Sequence, residues 1–233
     1  MSFFELSPNE WTAVLLSLRI ATVAMFASLP FGIFVAYVLA RWHFPGKTII
    51  DGIVHLPLVL PPVVTGFILL TLFGRKGFFG AFFADIGIVL SFRWTGAALA
   101  AAVMGFPLMV RAMRLSFEAT DRRLEYVSRS LGANRIFTFF LITLPLAAPG
   151  IAVGAILAFA KALGEFGATI TFVSNIPSET QTISAAIYTY TQAPGGDMQA
   201  MRLTALAVTI AFGALAASEI IQRLARKRLA RFE

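Results

Sequence analysis

Long runs without charge, separated by short segments dense in arginine, constrain this chain more than any other feature. Only 13% of its residues are charged, where a soluble domain carries about 25%, and the deficit is concentrated in windows of membrane-spanning length. About 20 apolar residues are needed to cross a bilayer as a helix, with ~17 at the short end. The runs predict spans at about 15–40, 54–73, 94–113, 137–163 and 202–222. The third and fifth borrow flanking residues to reach length. The expectation is an all-α integral membrane protein, one transmembrane domain over 1–233, because a backbone in hydrocarbon must satisfy its own hydrogen bonds. Two weaker apolar stretches, 77–92 and 166–176, are too short to span. The first suits an interfacial or re-entrant helix. The second either extends the fourth span or lines a cavity.

The start of the first span carries its own signal. Ser7, Pro8 and Glu10 stand at the cap, first and third positions of a capping box. The preceding residues from Met1 have no basic n-region and no small-residue cleavage site, so the first span is expected to be retained.

The net charge is +7. On a soluble chain this would suggest nucleic acid, but here the cations lie between apolar runs and act as topology signals, so no nucleic acid is expected. Arg41, Lys47, the six arginines from Arg111 to Arg135, and Arg223, Arg226, Lys227, Arg228 and Arg231 fall on one side. Arg75, Lys76, Arg93 and Arg202 fall on the other. Thirteen against four places the C-terminus in the cytoplasm and the N-terminus outside. The pair Arg75–Lys76 runs against the trend. Trp11, Trp42 and Trp94 fit the aromatic belts, and Arg19 is expected to snorkel to the outer interface.

Several chemistries are excluded. There are no cysteines and only two histidines, His43 and His55, so no thiolate chemistry and no metal cluster is expected. His55 reads as a packed polar residue. No cluster of interfacial acids, histidines or serines marks a membrane-embedded enzyme, so no catalytic residue is expected. A P-loop pattern is missing, so any nucleotide must be bound by another subunit. An ATP-independent secondary transporter would want inverted repeats and intramembrane acids, and Glu165 is the one acid found in such a place.

The connection between the third and fourth spans is the most informative segment. Leu124, Val127 and Leu131 recur at helical spacing, Arg122, Arg123 and Arg129 lie off that stripe, and Gly132 suits a left-handed helix end. A short amphipathic helix at about 118–132 follows. By periodicity it either docks into a groove on a partner or rests on the membrane surface.

Gly132 and Ala133, followed by Leu144–Pro145–Leu146 and Pro149–Gly150, resemble the coupling-helix motif of binding-protein-dependent ABC importer permeases. Tyr126, Val127 and Ser128 stand where that family has Glu-Ala-Ala, and Glu125 is one position earlier. Phe44–Lys47, His55–Val64, Phe106–Ala112 and Leu163–Pro177 are similar to the molybdate permeases of this family over nearly the whole chain. Sulfate permeases carry a related version. The resemblance implies a type I ABC importer architecture. It implies a second copy of the chain, two cytoplasmic ABC ATPase subunits, a periplasmic molybdate-binding protein, and a place in the bacterial inner membrane. ATP and magnesium would sit on the ATPase and no cofactor on this chain. The implied function is ATP-driven alternating access for molybdate or tungstate, with sulfate or thiosulfate the rival cargo. The implied ATPase-coupling residues are Arg122, Leu124, Glu125, Val127, Arg129, Leu131, Gly132 and Ala133.

Pathway residues are read from the residues themselves. Pro57, Pro61 and Pro62 break a helix inside an apolar run, which belongs at a pathway or at a packing kink. Lys161 and Glu165, four apart, line a gate or form a structural ion pair. Gly164, Gly167, Thr169 and Thr171 suit a narrow path, through close backbone approach and hydroxyl donors, or equally plain helix packing.

Overall fold

The computed structural model describes residues 6–229. Met1 to Glu5 and Arg231 lie outside the described residues, as do the side chains of Arg226, Lys227 and Arg228. Among the described residues the chain is helical throughout: α1 (Pro8–Arg41), α2 (Lys47–Val59), α3 (Pro62–Phe73), α4 (Phe78–Asp85), α5 (Trp94–Ala119), α6 (Arg122–Ser130), α7 (Arg135–Thr138), a π-helical turn (Phe139–Thr143), α8 (Leu144–Leu163), α9 (Gly167–Val173), α10 (Ile183–Gln192) and α11 (Asp197–Leu229).

Helix α1 starts as its sequence demands. The Ser7 hydroxyl accepts from the Glu10 amide while Glu10 Oε2 accepts from the Ser7 amide at 2.7 Å, so two of the orphan amides at the helix start are satisfied. Pro30 interrupts the ladder without ending the helix.

Helix α5 is the centre of the bundle, with α1 on one side and α8 on the other. Its buried face is built from Gly96, Ala97, Ala100, Ala101, Met104, Gly105, Met109 and Met113. Small residues let helix backbones approach where lipid gives no hydrophobic drive for association. The approach is close: a Cβ on Gly32 of α1 would lie 2.7 Å from Met109 Sδ, and one on Gly154 of α8 would lie 2.8 Å from the Met109 carbonyl oxygen.

Long-range contacts set the directions. Arg19 of α1 lies over the Trp94 ring at the start of α5, 3.8 Å from its centroid, and Arg41 at the end of α1 donates to Thr120 O just past α5, at 3.1 Å. Helices α1 and α5 are therefore parallel. Helix α8 returns, since the turn leading into it contacts Glu125 through Thr143. Helix α11 starts beside the start of α1, where Arg202 meets Glu10. One end of the bundle thus carries α6 and α7, and the other carries α4, α10 and the start of α11.

Among the described residues four helices are long and apolar enough to cross a membrane, and five passes result if α2 and α3 count as one. The expected second span, 54–73, is not a straight helix. Its axis turns by 114° between Val59 and Pro62. Leu60 is extended (φ −70°, ψ 142°), the conformation that a following proline imposes, and Pro62 then takes the first position of α3, where its missing amide costs nothing. The fourth span, expected at 137–163, begins two residues earlier and carries the π turn. Pro145 cannot donate to the carbonyl four residues back, so the ladder shifts register just ahead of it. The 166–176 stretch does not extend α8. It forms the separate helix α9 after a break at Gly164–Phe166.

The outside of the bundle is apolar. Val59 is 81% exposed, and Val63, Phe67, Phe34, Phe212 and Leu215 are also exposed. Side chains of this kind around a bundle are what lipid or a second subunit covers.

Candidate functional site

At one end, α6 forms a helix with two different faces. Asp121 caps it by accepting from the Arg123 amide at 2.8 Å, so the helix is shorter than the expected 118–132, whose first residues complete α5. Gly132 ends it at φ +94°. The Gly132 amide donates to Arg129 O and the Ala133 amide to Ser128 O, which satisfies carbonyls that a helix end leaves open. Asn134 then caps α7 through the Phe137 amide, and the Ser128 and Thr138 hydroxyls meet at 3.3 Å. The α6–α7 corner is therefore braced within the chain.

The stripe Leu124, Val127 and Leu131 points outward, 47%, 57% and 84% exposed. With Ala133, Phe137, Leu141 and Pro145 it lines an open apolar groove of about 880 Å³. Among the described residues nothing fills this groove.

The opposite face of α6 presents Arg122, Glu125, Tyr126 and Arg129 at i, i+3, i+4 and i+7. Glu125 is turned inward. Its carboxylate meets the Arg41 guanidinium at 2.9 Å and accepts from the Thr143 hydroxyl at 3.0 Å. One side chain thus ties α6 to the end of α1 and to the π turn ahead of α8. Sequence reading placed Glu125 on α6 but missed Arg41 and Thr143 as its partners. No periodicity reports a contact 84 positions away.

The second constellation lies where α3, α8 and α9 meet. Glu165 is 2% exposed. Its Oε2 accepts from Lys161 Nζ at 3.1 Å and its Oε1 from the Ala168 amide at 3.0 Å. Glu165 therefore both pairs with a cation and satisfies an amide at the start of α9, while Lys161 stays partly exposed. A Cβ on Gly167 would lie 2.8 Å from Pro62 Cβ, and one on Gly66 would lie 2.5 Å from Ala168 O. The break at Pro61–Pro62 and the break at Gly164–Phe166 are thus brought against each other. Thr171 donates to Gly167 O at 2.8 Å, and Thr169 is buried at 3%. Gly164, Pro61 and Pro62 are exposed and Pro57 is half-buried. Pro57, one turn before the break, remains within α2.

No group of three or more histidines, cysteines, aspartates or glutamates is placed to hold a metal among the described residues. His55 is half-buried, its Nδ1 2.9 Å from Asp51 O, and Asp51 also receives Arg114 at 3.0 Å.

Comparison with known proteins matches residues 28–231 to the family of binding-protein-dependent transport system inner membrane components. The chain is 56% identical over 227 residues to the molybdenum transport system permease protein ModB of Escherichia coli (strain K12), covering 97% of this chain and 99% of that protein. It is 50% identical to the corresponding protein of Haemophilus influenzae, covering 94% and 96%. Identity to the sulfate transport system permease protein CysT of Salmonella typhimurium is 35%, covering 78% of this chain and 66% of that one. Among solved structures, a bacterial ABC transporter for import of the acidic polysaccharide alginate shares the fold, with a TM-score of 0.69 at 19% identity, covering 95% of this chain and 80% of the other.

Proposed function

Because the chain belongs to the family of binding-protein-dependent transport system inner membrane components, we propose that it is the transmembrane subunit of an ABC importer whose cargo is molybdate. The observation that carries the cargo is the 56% identity to a molybdenum permease over 99% of that protein's length, against 35% over 66% of a sulfate permease. Two copies enclose the pathway, since five passes are too few to surround it alone. Two ATPase subunits dock from the cytoplasm and bind ATP and magnesium. A periplasmic binding protein delivers the oxyanion and supplies most of the selectivity. The N-terminus is outside and the α6 end faces the cytoplasm.

The exposed stripe Leu124, Val127 and Leu131 and the apolar groove beside it support α6 as the docking helix. Arg122, Glu125, Arg129, Gly132 and Ala133 complete the coupling segment. The Glu125–Arg41–Thr143 contacts make that corner a rigid lever, so a pull on α6 moves the ends of α1 and α8 together. At the other end of the stroke, Pro57, Pro61, Pro62, Lys161, Gly164, Glu165, Gly167, Thr169 and Thr171 form the hinge and gate region. The Glu165 carboxylate is committed to Lys161 and the Ala168 amide, so it holds the gate shape and does not bind cargo. The protein turns over no substrate of its own; hydrolysis belongs to the ATPase.

The test is uptake into proteoliposomes holding this chain, its ATPase and its binding protein. ATP-dependent molybdate uptake that resists excess sulfate is the expected result. Uptake abolished by sulfate would reassign the cargo to sulfate.

A further inference from the structure

We propose that the cavity between α1 and the α6–α7 corner is a binding site for an anionic phospholipid, its phosphate held by Arg129, Arg135 and Arg41 and an acyl chain laid along α1. The cavity has a volume of about 730 Å³ and two chemically distinct parts. Its rim holds Arg41, Arg122, Arg129 and Arg135 with Glu125 as the one acid. Arg41 and Glu125 neutralise each other at 2.9 Å, which leaves three guanidinium groups facing the cavity with no carboxylate against them among the described residues. Its wall is apolar, formed by Pro30, Ile33, Phe34 and Val38 of α1 with Phe139 and Phe140 of the π turn.

Among the described residues that line this cavity, one buried polar atom lacks a partner. The Arg41 side chain is 6% exposed and its Nη2 is used by Glu125 and Thr120 O, yet its Nε is buried without a partner. A buried donor with nothing to bind is costly, and this residue lines the cavity. A phosphate oxygen at the rim supplies the missing acceptor.

The dimensions fit one leaflet. From Pro30 to Arg41 the α1 axis rises about 16 Å at ~1.5 Å per residue, half of a ~30 Å hydrocarbon core. The cations sit where headgroups lie and the apolar wall runs to the bilayer middle. A small soluble oxyanion would leave that wall unfilled. A zwitterionic lipid would bring its own cation against three arginines. Basic pockets between helices on the cytoplasmic side suit anionic headgroups. The apolar stripe Leu124, Val127 and Leu131, proposed to dock the ATPase, lies on the opposite face of α6, so both occupants fit at once.

The experiment is native mass spectrometry of the protein purified in mild detergent with the subunits that accompany it, after titration with dioleoylphosphatidylglycerol or dioleoylphosphatidylcholine. The unmodified protein is expected to retain phosphatidylglycerol preferentially. Retention is expected to drop by at least about tenfold when Arg129→Gln and Arg135→Gln are combined, each arginine near an anionic surface being worth roughly a factor of five. Both side chains are exposed, so the fold is kept, and the lipid preference of the unmodified protein does not depend on any variant. Arg75→Gln with Lys76→Gln, an equal charge loss at the opposite end, is expected to change nothing. Equal retention of phosphatidylcholine, unchanged retention in the arginine variant, or equal loss in the Arg75–Lys76 variant would overturn the site. Displacement of the lipid by millimolar inorganic phosphate would also overturn it, in favour of a small-anion site.

Discussion

Glu10 shows how one residue can be half legible. Its place three positions after Ser7 announces a capping box, and that box is formed. Its second role is invisible in the sequence. Both carboxylate oxygens accept from Arg202, at 3.1 and 3.0 Å, across 192 positions, and both side chains are buried. By sequence, Arg202 was an interfacial cation on the outer side. Burying a charge is tolerable only with its partner present, and removing one partner typically costs about 3–5 kcal/mol. Glu10→Ala is therefore expected to lower the thermal unfolding midpoint of the detergent-solubilised protein strongly. Glu10→Leu combined with Arg202→Met removes both charges and should recover all but about 1 kcal/mol, the share of the lost cap. A double variant as unstable as the single one would mean the pair is not the reason Glu10 matters. Gly66 makes a simpler case. Any Cβ there would lie 2.5 Å from Ala168 O and 2.9 Å from Ala168 Cα, backbone that cannot rotate away. Gly66→Ala should cost roughly 1–3 kcal/mol as overpacking, and transport assays should show reduced uptake because α3 and α9 are forced apart. Wild-type stability and uptake in that variant would show that the two breaks are not tightly joined.

At the level of elements, the sequence reports what is local. The α6 stripe, the Gly132 stop and the proline break after α2 were all readable, because periodicity, positive φ and a missing amide act within a few residues. The π turn at Phe139–Thr143 was not, since an apolar run reads the same whether its ladder steps by four or by five. Nor was the separation of α9 from α8, which depends on the Glu165 carboxylate reaching the Ala168 amide. The role of α6 rests on its exposed stripe, and Gly132 tests it well. The residue sits at φ +94° with open space around any added Cβ, so a larger residue meets backbone strain on the order of 1 kcal/mol and no clash. Aspartate tolerates that conformation better than most residues. Gly132→Asp should thus fold while placing a charge beside the exposed apolar stripe of α6, the face proposed to dock the ATPase. ATP-dependent uptake in proteoliposomes should be lost although the permease elutes normally. Uptake at the wild-type rate would remove α6 from the coupling role.

At the scale of the whole molecule, the directions of α1, α5, α8 and α11 follow from four contacts: Arg19 on Trp94, Arg41 at Thr120 O, Thr143 at Glu125 and Arg202 at Glu10. They make the number of passes odd once α2 and α3 count as one, and put the start of α1 and the far end of α11 at opposite ends. Which end faces the cytoplasm is a separate matter, and the charge distribution is what supports the proposed orientation. The α6 end holds Arg41, Lys47 and the arginines from Arg111 to Arg135, and short basic connections stay on the side of synthesis. Arg75 and Lys76 sit at the opposite end in a short turn that they share with Gly74 and Gly77, and two cations do not outweigh the rest. The chain has no cysteine, so a single introduced one reports its own side without background. Pro45 and Lys76 are both exposed in connections at opposite ends. In right-side-out vesicles, Lys76→Cys should react with an impermeant maleimide and Pro45→Cys should not. In inverted vesicles the pattern should reverse. Labelling of Pro45→Cys from outside would invert the molecule and put α6 beyond the reach of any cytoplasmic ATPase. Labelling of both positions from one side would mean that the bent α2–α3 pair re-enters the membrane without crossing it. Charge asymmetry and the proline break therefore meet in one measurement, because the first decides the side of Pro45 and the second decides whether Lys76 lies across from it.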